Sequence, residues 1–397
     1  MSNELRIQNL LTQESDKLLN CIHCGLCLDS CPTYKLTGNE NNSPRGRLAM
    51  WRAEDEGRTQ QAEKINHYTS ECLGCLACET ACPANVPYGE ILMEQRIKQV
   101  EQGEKVNTKV KAIAGLAKKP ALMKAATLPM RWLRNAGIQV DPLIPPGKTS
   151  LFKSSYSYAK EAQKREESKG ETIRFFTGCH TENFYPEINF ATIDVLAANG
   201  VQIEVPKEQQ CCGAIHEHSG LKDKEELDKK NQAVFDQNKE KAVLTNAAGC
   251  GLSLQHALAS PVMDALSYLG KMELKQPKRL QSAKIFIDMP CHLYHGQGVQ
   301  EIPKNVLEVL GLDVAYAPSC QDCCGAAGTY NIEKAENSEK IIDEKVLFLQ
   351  KHTGQEVIIT TANAICMQQW SASVKRNFPN ENFRVQHIMT LLAENYN

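Results

Sequence analysis

Two cysteine runs lie near the start of the chain: Cys21, Cys24, Cys27 and Cys31 followed by Pro32, and Cys72, Cys75, Cys78 and Cys82 followed by Pro83. Both keep the spacing Cys-x2-Cys-x2-Cys-x3-Cys-Pro. Three thiolates two residues apart wrap one face of an iron-sulfur cubane, and the fourth is carried too far round to reach it, so it serves the neighbouring cluster. The spacing therefore predicts one [4Fe–4S] cluster on Cys21, Cys24, Cys27 and Cys82, and a second on Cys72, Cys75, Cys78 and Cys31. Two clusters in one small fold make a wire for electrons. A pair of structural zinc sites is the rival reading, but four zinc ligands explain neither the third Cys-x2-Cys step nor the prolines.

A second constellation is duplicated. Cys179, Cys211 and Cys212 recur as Cys291, Cys323 and Cys324 at a constant offset of 112 residues, and Cys250 recurs as Cys366 at 116. Each copy supplies four soft thiolates, which select an iron-sulfur cluster or zinc; a copy that has lost its metal is the third possibility. Adjacent cysteines in a strand point to opposite faces, so a Cys-Cys-Gly that supplies two ligands must turn sharply, and Gly213 and Gly325 permit that turn. Cys320, three residues before Cys323, reads as a free buried cysteine and is left out of the site.

Other groups gather around these motifs. His216, His218 and His295 are candidates to donate a hydrogen bond to a cluster sulfur or to move a proton when an electron arrives, with a satisfied structural histidine as the alternative. His180 and His292 stand directly after cysteines. In Ser43-Pro44-Arg45-Gly46-Arg47, Ser43 reads as a helix cap with Pro44 at the first helical position. Arg45 and Arg47 either stabilise a reduced cluster or lie on a solvated helix face. No G-x-G-x-x-G follows a strand, and neither a phosphate-binding loop nor a Cys-x-x-Cys-His haem site occurs. Flavin and nucleotide are therefore not expected in this chain, and electrons must come from a partner.

The elements that position these residues divide the 397-residue chain into four parts. Residues 1–104 read as a helical ferredoxin-type domain. Residues 105–170 read as a basic helical connector that stops at DPLIPPGK and continues in a polar stretch, AKEAQKREESKG, suited to a solvated helix or linker. Residues 171–283 and 284–397 are the two Cys-Cys-Gly copies, each alternating short apolar strands (IRFFTGC, KIFIDMPC) with helices, which argues for a parallel sheet covered by helices. The expected fold class is thus mixed α and α/β, with the cysteines at strand ends where such sheets bind ligands. From Lys105 to Val140 no acidic residue occurs, and Ile113, Leu122, Met123, Leu128 and Trp132 interleave with lysines and arginines. That pattern suits a helix lying on an anionic membrane surface, or a connector packed between domains.

A net charge of −2 gives no reason to expect nucleic-acid binding. The opening MSNELRIQNLLTQ does not read as a secretory signal, so a cytoplasmic location is expected, where 17 reduced cysteines favour metal ligation over disulfides.

Taken together, NCIHCGLCLDSCPTY, NSPRGR, CLGCLACETACPANVPYG, NAAGCG, PCHLYHGQG, CCGAAGTYNI and ANAICMQ make a chain that resembles the iron-sulfur subunit of glycolate oxidase over nearly its whole length. The resemblance implies two clusters on the eight N-terminal cysteines, with further clusters in the repeats. It also implies a partner flavoprotein that oxidises glycolate or another 2-hydroxy acid, and a membrane quinone as acceptor, with peripheral contact on the inner face of the cell membrane. Related arrangements occur in the third subunit of anaerobic glycerol-3-phosphate dehydrogenase and in heterodisulfide reductase. The latter ends each repeat in Cys-x-x-Cys, whereas Ser253 and Gln369 stand at those positions here. A non-redox zinc scaffold is the remaining alternative.

Overall fold

The computed structural model describes residues 17–138, 149–165, 170–278 and 283–396. The DPLIPPGK stop and the opening segment lie outside them. The N-terminal region is helical: Pro32–Thr37, Pro44–Asp55, Ala62–Ser70, Ala77–Thr80 and Tyr88–Glu101. The helix Pro44–Asp55 starts as its sequence dictates, with Pro44 at the first position and the Ser43 side chain accepting a hydrogen bond from the Gly46 N–H at 3.0 Å. Trp51, Ile65, Ile91 and Leu92 form its small core, tied by Trp51 Nε1 donating to Thr69 Oγ1.

Each Cys-Cys-Gly copy folds as a four-stranded, all-parallel sheet. The strands are β1 (Thr172–Phe176), β2 (Gln202–Glu204), β3 (Val243–Thr245) and β4 (Val262–Asp264) in the first copy, and β5 (Lys284–Asp288), β6 (Val314–Tyr316), β7 (Val357–Thr361) and β8 (Phe383–His387) in the second. Their spatial orders, β2-β1-β3-β4 and β6-β5-β7-β8, are the same under the duplication. Of the central strands, β3 and β7 are buried throughout and β1 and β5 from their second residue on, as the apolar runs of a sheet covered on both faces require. The copies share the larger part of their core, while Phe176, Leu227, Phe235 and Leu254 of the first form a cluster with Met123 of the connector. Phe175, Ile193, Leu196 and Leu266 of the first belong to one apolar cluster with Ile285, Ile358, Leu391 and Leu392 of the second. His387 at the end of β8 lies 3.0 Å from the Asn246 carbonyl just past β3.

The polar stretch before β1 is more engaged than its composition suggests. Helix Ser155–Ala162 buries Ala159 and Ala162, and Tyr158 stacks on Phe190 at 4.3 Å while donating to Asp194. Small residues at Ser155, Ala159 and Ala162, four and three apart, put one face of this polar helix into the core.

Asp264, at the end of β4, is buried, and one of its carboxylate oxygens finds no partner among the described residues. Burial pushes its pKa up from 3.8 to about 7, against the opposing bond from the Leu266 N–H. Because the folded value lies above the unfolded one, the native state holds a proton that the unfolded chain has released across this window. Stability should therefore fall as pH rises from 4 to 7, by up to about 1.4 kcal/mol per pH unit from this group. Asp264→Asn removes that dependence, so its urea midpoint should vary less over this window than that of the unaltered chain.

Candidate iron-sulfur centres

The two N-terminal cysteine loops share a backbone shape. His23 and Gly25 in the first, and Gly74 and Leu76 in the second, occupy the same positions relative to their cysteines, and all four have positive φ (55°, 87°, 63° and 65°). Successive left-handed residues curl the chain so that the flanking cysteines point inward. Cys21, Cys24, Cys27 and Cys82 line one cavity together with Pro44, Arg45 and Pro83, and Cys78 closes its inner side. Cys24 is exposed, and beside it Ile22 and Leu26 are 70 % and 62 % exposed.

Cys31, Cys72, Cys75 and Cys78 gather deeper. Burial, then the repulsion of Cys75, Cys72 and Cys31, drives the Cys78 thiol well above its ordinary pKa. Cys72 goes the other way. Its burial is outweighed by Arg47, Arg96, the Gly74 N–H (3.4 Å) and the Tyr88 hydroxyl (3.6 Å), so its thiol is held below 9.0. Deprotonated sulfur accepting an N–H bond is the form in which cysteine binds iron.

The two arginines separate. Arg47 is fully buried and donates to the carbonyls of Tyr68 (2.7 Å) and Asn42 (2.8 Å) and to Thr33 Oγ1 (3.2 Å). Its own burial acts to lower its pKa, but Tyr88, Cys72 and Cys31 raise it further. The solvated-helix reading therefore fails for Arg47. Arg45 is partly exposed, ion-paired to Glu40 at 2.6 Å and bonded to the His23 carbonyl.

In the repeats, all eight cysteines come from the carboxyl ends of strands: Cys179 after β1, Cys211 and Cys212 after β2, Cys250 after β3, and their counterparts after β5, β6 and β7. Gly213 and Gly325 turn the Cys-Cys pair with φ of 84° and 83°. A Cβ at Gly325 would stand 2.7 Å from the Ser338 carbonyl oxygen, so only glycine fits that turn. The N–H groups of Gly213 and Gly325 point at the sulfurs of Cys211 and Cys323, at 3.5 and 3.4 Å. Sulfur pairs Cys179–Cys211, Cys212–Cys250, Cys291–Cys323 and Cys324–Cys366 lie 3.5, 3.2, 4.0 and 3.3 Å apart.

Both quartets face the same space. One cavity of about 100 Å³ is lined by all eight, closed by Leu73 from the N-terminal region and by His180, His218 and His292. Leu73 and Cys75 share an apolar cluster with Cys291, Cys323 and Tyr330, so the second N-terminal group abuts the second repeat. Burial and then the nearby Cys291 raise the Cys75 thiol. The contact is clamped by Lys35–Asp322 (3.1 Å) and Lys334–Glu71 (2.5 Å), and by His292 Nε2 against the Gly74 carbonyl (3.0 Å).

The candidate histidines fall in three places. His218 lines the shared cavity, stacked on His292 with ring centres 5.3 Å apart. His216 is buried instead against the connector, near Ala114 and Lys118. His295 bridges Thr80 Oγ1 (2.8 Å) and the Gln321 carbonyl (3.0 Å), joining the N-terminal region to the second repeat. Sequence reasoning passed over His292, Asn363, whose Nδ2 donates to Cys366 Sγ at 3.3 Å, and Lys345. Lys345 is buried, pairs with Asp288 at 2.6 Å, and helps lower the Cys324 thiol after its bonds to Cys323 and Cys366. Only adjacency to Cys291 and Cys366 marked the first two in sequence. Ser253 and Gln369 are buried and occupied as polar groups, Ser253 donating to the Cys212 carbonyl at 2.8 Å and Gln369 to Ser338 Oγ at 2.8 Å.

Comparison with known proteins bears on these centres. A 4Fe-4S dicluster domain matches residues 17–86, and a cysteine-rich domain matches twice, at 173–255 and 287–369. The probable glycolate oxidase iron-sulfur subunit of Bacillus subtilis (strain 168) is 31 % identical, over 98 % of this chain and 97 % of its own length. This chain belongs to the glycolate oxidase iron-sulfur subunit family. Within that family the Escherichia coli (strain K12) subunit is 26 % identical over 92 % of this chain and 93 % of its own length. Lactate utilization protein A 2 of Bacillus cereus (strain AH820) is 25 % identical over 57 % of this chain and 99 % of its own length. No helix among the described residues is long and apolar enough to cross a membrane.

Proposed function

We propose that this chain is the electron-relay subunit of a flavin-dependent 2-hydroxy-acid dehydrogenase of the glycolate or D-lactate type, passing electrons from a partner flavoprotein towards a quinone. The observation that carries this reading is the row of thiol groups. Exposed Cys24 stands at one end, Cys78 lies between the first two groups, Cys75 abuts Cys291, and Cys291 shares a cavity with the first repeat.

The residues present fit iron-sulfur clusters: eight thiols line one cavity and Cys21, Cys24, Cys27 and Cys82 line another, with backbone N–H groups aimed at sulfur and apolar walls. Cys21, Cys24, Cys27 and Cys82 would hold one [4Fe–4S] cluster and Cys72, Cys75, Cys78 and Cys31 another. Cys179, Cys211, Cys212 and Cys250, and Cys291, Cys323, Cys324 and Cys366, would hold one further cluster each. Bound there, such clusters supply reversible one-electron chemistry. The protein's part is to hold them in sequence, exclude water with Leu73, Tyr330 and Ile341 between the second and third groups, and offset added negative charge with Arg47 and Lys345. The occupied side chains of Ser253 and Gln369 favour relay over disulfide cleavage at a five-thiolate site. The sequence carries no flavin- or nucleotide-binding motif, and this reading therefore assigns oxidation of the hydroxy acid to the partner.

Anaerobically purified protein should contain iron and acid-labile sulfide in equal amounts, at two to four clusters per chain, with low-temperature electron paramagnetic resonance signals on reduction. Zinc in place of iron would overturn the reading in favour of a scaffold.

A further inference from the structure

The helix Pro120–Asn135 is built inside out. Its inward face carries Met123, Thr127, Arg131 and Arg134, all buried. At about 100° per residue, the opposite face is Leu122, Ala125, Ala126, Pro129 and Trp132, all exposed and none of them charged. Leu122 is 53 % and Trp132 60 % exposed, and Phe152, whose carbonyl accepts from Lys124 Nζ at 3.4 Å, is 76 % exposed.

The inversion has a local cause. Arg131 donates to the Ser150 carbonyl, and Arg134 donates to the Phe184 carbonyl, pairs with Glu187 at 2.9 Å and lies over the Tyr185 ring. The Arg134 contacts moor the helix to the first repeat, the Arg131 bond ties it to the end of its own connector, and Leu122 and Trp132 are left facing out. An outward face with two large hydrophobic residues and no charge is not what solvent selects.

We propose that this face seats the protein on an anionic lipid surface. Charge decides the occupant. The connector contains no acidic residue from Lys105 to Val140. Its exposed Lys105, Lys109, Lys111, Lys119 and Lys124 have no carboxylate within ion-pair distance among the described residues, while Lys118 is already paired with Asp223 and Glu226. Lysines flanking a Leu and Trp face suit acyl chains below phosphate headgroups, where tryptophan sits at the boundary. The inference concerns attachment and does not depend on how many clusters the repeats hold.

The test is sedimentation of the full-length, cluster-containing protein with vesicles of phosphatidylcholine alone or with about 30 % phosphatidylglycerol. The unaltered protein should pellet with the anionic vesicles, stay in solution with the neutral ones, and be released by high salt. Leu122→Ser with Trp132→Ser should weaken binding roughly tenfold or more, and Lys119→Gln with Lys124→Gln should do so at low salt while the apolar face stays intact. Both double variants change exposed side chains, and an unchanged visible cluster spectrum would show that they fold. No binding to anionic vesicles, or binding unaltered by both variants, overturns the proposal. So does a dimer, or a complex with the partner flavoprotein, that the Leu122/Trp132 variant dissociates, because the face would then be a protein interface.

Discussion

Cys75→Ala should stop electron transfer from substrate to quinone in the assembled complex while leaving the partner's flavin reducible by substrate. Cys75 is the point at which the N-terminal centres meet the repeats: it shares an apolar cluster with Leu73, Cys291 and Cys323, and it neighbours Cys31 and Cys72 in its own group. Its loss should remove about one cluster's worth of iron and sulfide, because a cubane held by three thiolates and no replacement ligand is labile. The exposed group at Cys21, Cys24, Cys27 and Cys82 lies in a separate cavity and should keep its signal. Cys24→Ala should give the mirror result, with the exposed signal lost, the deeper one kept, and quinone reduction again abolished. The measurements are stopped-flow flavin absorbance, quinone reduction, and electron paramagnetic resonance of each variant. Unchanged quinone reduction in both variants would refute the relay.

Arg47→Met should destabilise the N-terminal region by about 2 kcal/mol or more, since it removes the Arg47 bonds to the buried Tyr68 carbonyl and Thr33 Oγ1 and leaves the Asn42 carbonyl with the Thr33 hydroxyl alone among its strong donors. Arg47→Lys keeps the charge and loses the fork geometry, so its cost should be smaller but clear. The second consequence is electronic. A fixed positive charge beside Cys31 and Cys72 favours the reduced, more negative state of whatever they bind, so Arg47→Met should shift the deeper centre's potential downward by tens of millivolts. Arg47→Lys should leave it nearly in place. Denaturant unfolding monitors the first effect and a potentiometric titration the second. A Met variant with an unaltered potential would show that Arg47 serves packing alone.

The comparison of Arg47 with Arg45 shows how far sequence reasoning reaches. Both stand in one short motif, and the capping Ser43 and first-turn Pro44 were legible because caps act within four residues. Nothing local says which arginine is enclosed. That depends on Thr33, Asn42 and Tyr68, brought round by other helices. The same division holds for the histidines: His216 and His218 are two residues apart, yet one packs on the connector and the other stacks on His292.

The connector gives the clearest case of a misleading local pattern. In sequence its arginines and lysines form one basic pattern, but Arg131 and Arg134 are buried and Lys118 is paired. Apolar periodicity predicts which residues go inward only when burial of hydrocarbon is the strongest interaction available. Here the carbonyls of Ser150 and Phe184 and the Glu187 carboxylate hold the arginines instead.

By itself, the sequence determined the cysteine spacings, the duplication and the strand-helix alternation. Thiol spacing, glycine turns and side-chain periodicity are properties of short stretches of chain, and the ligand loops take one backbone shape wherever they are placed. Only the tertiary structure decided that the two repeats face one cavity, that Cys75 meets Cys291 there, and that the connector turns its tryptophan outward. Those outcomes rest on contacts between residues distant in the chain, and the sum of many weak packing and hydrogen-bonding terms, rather than any local pattern, selects among them.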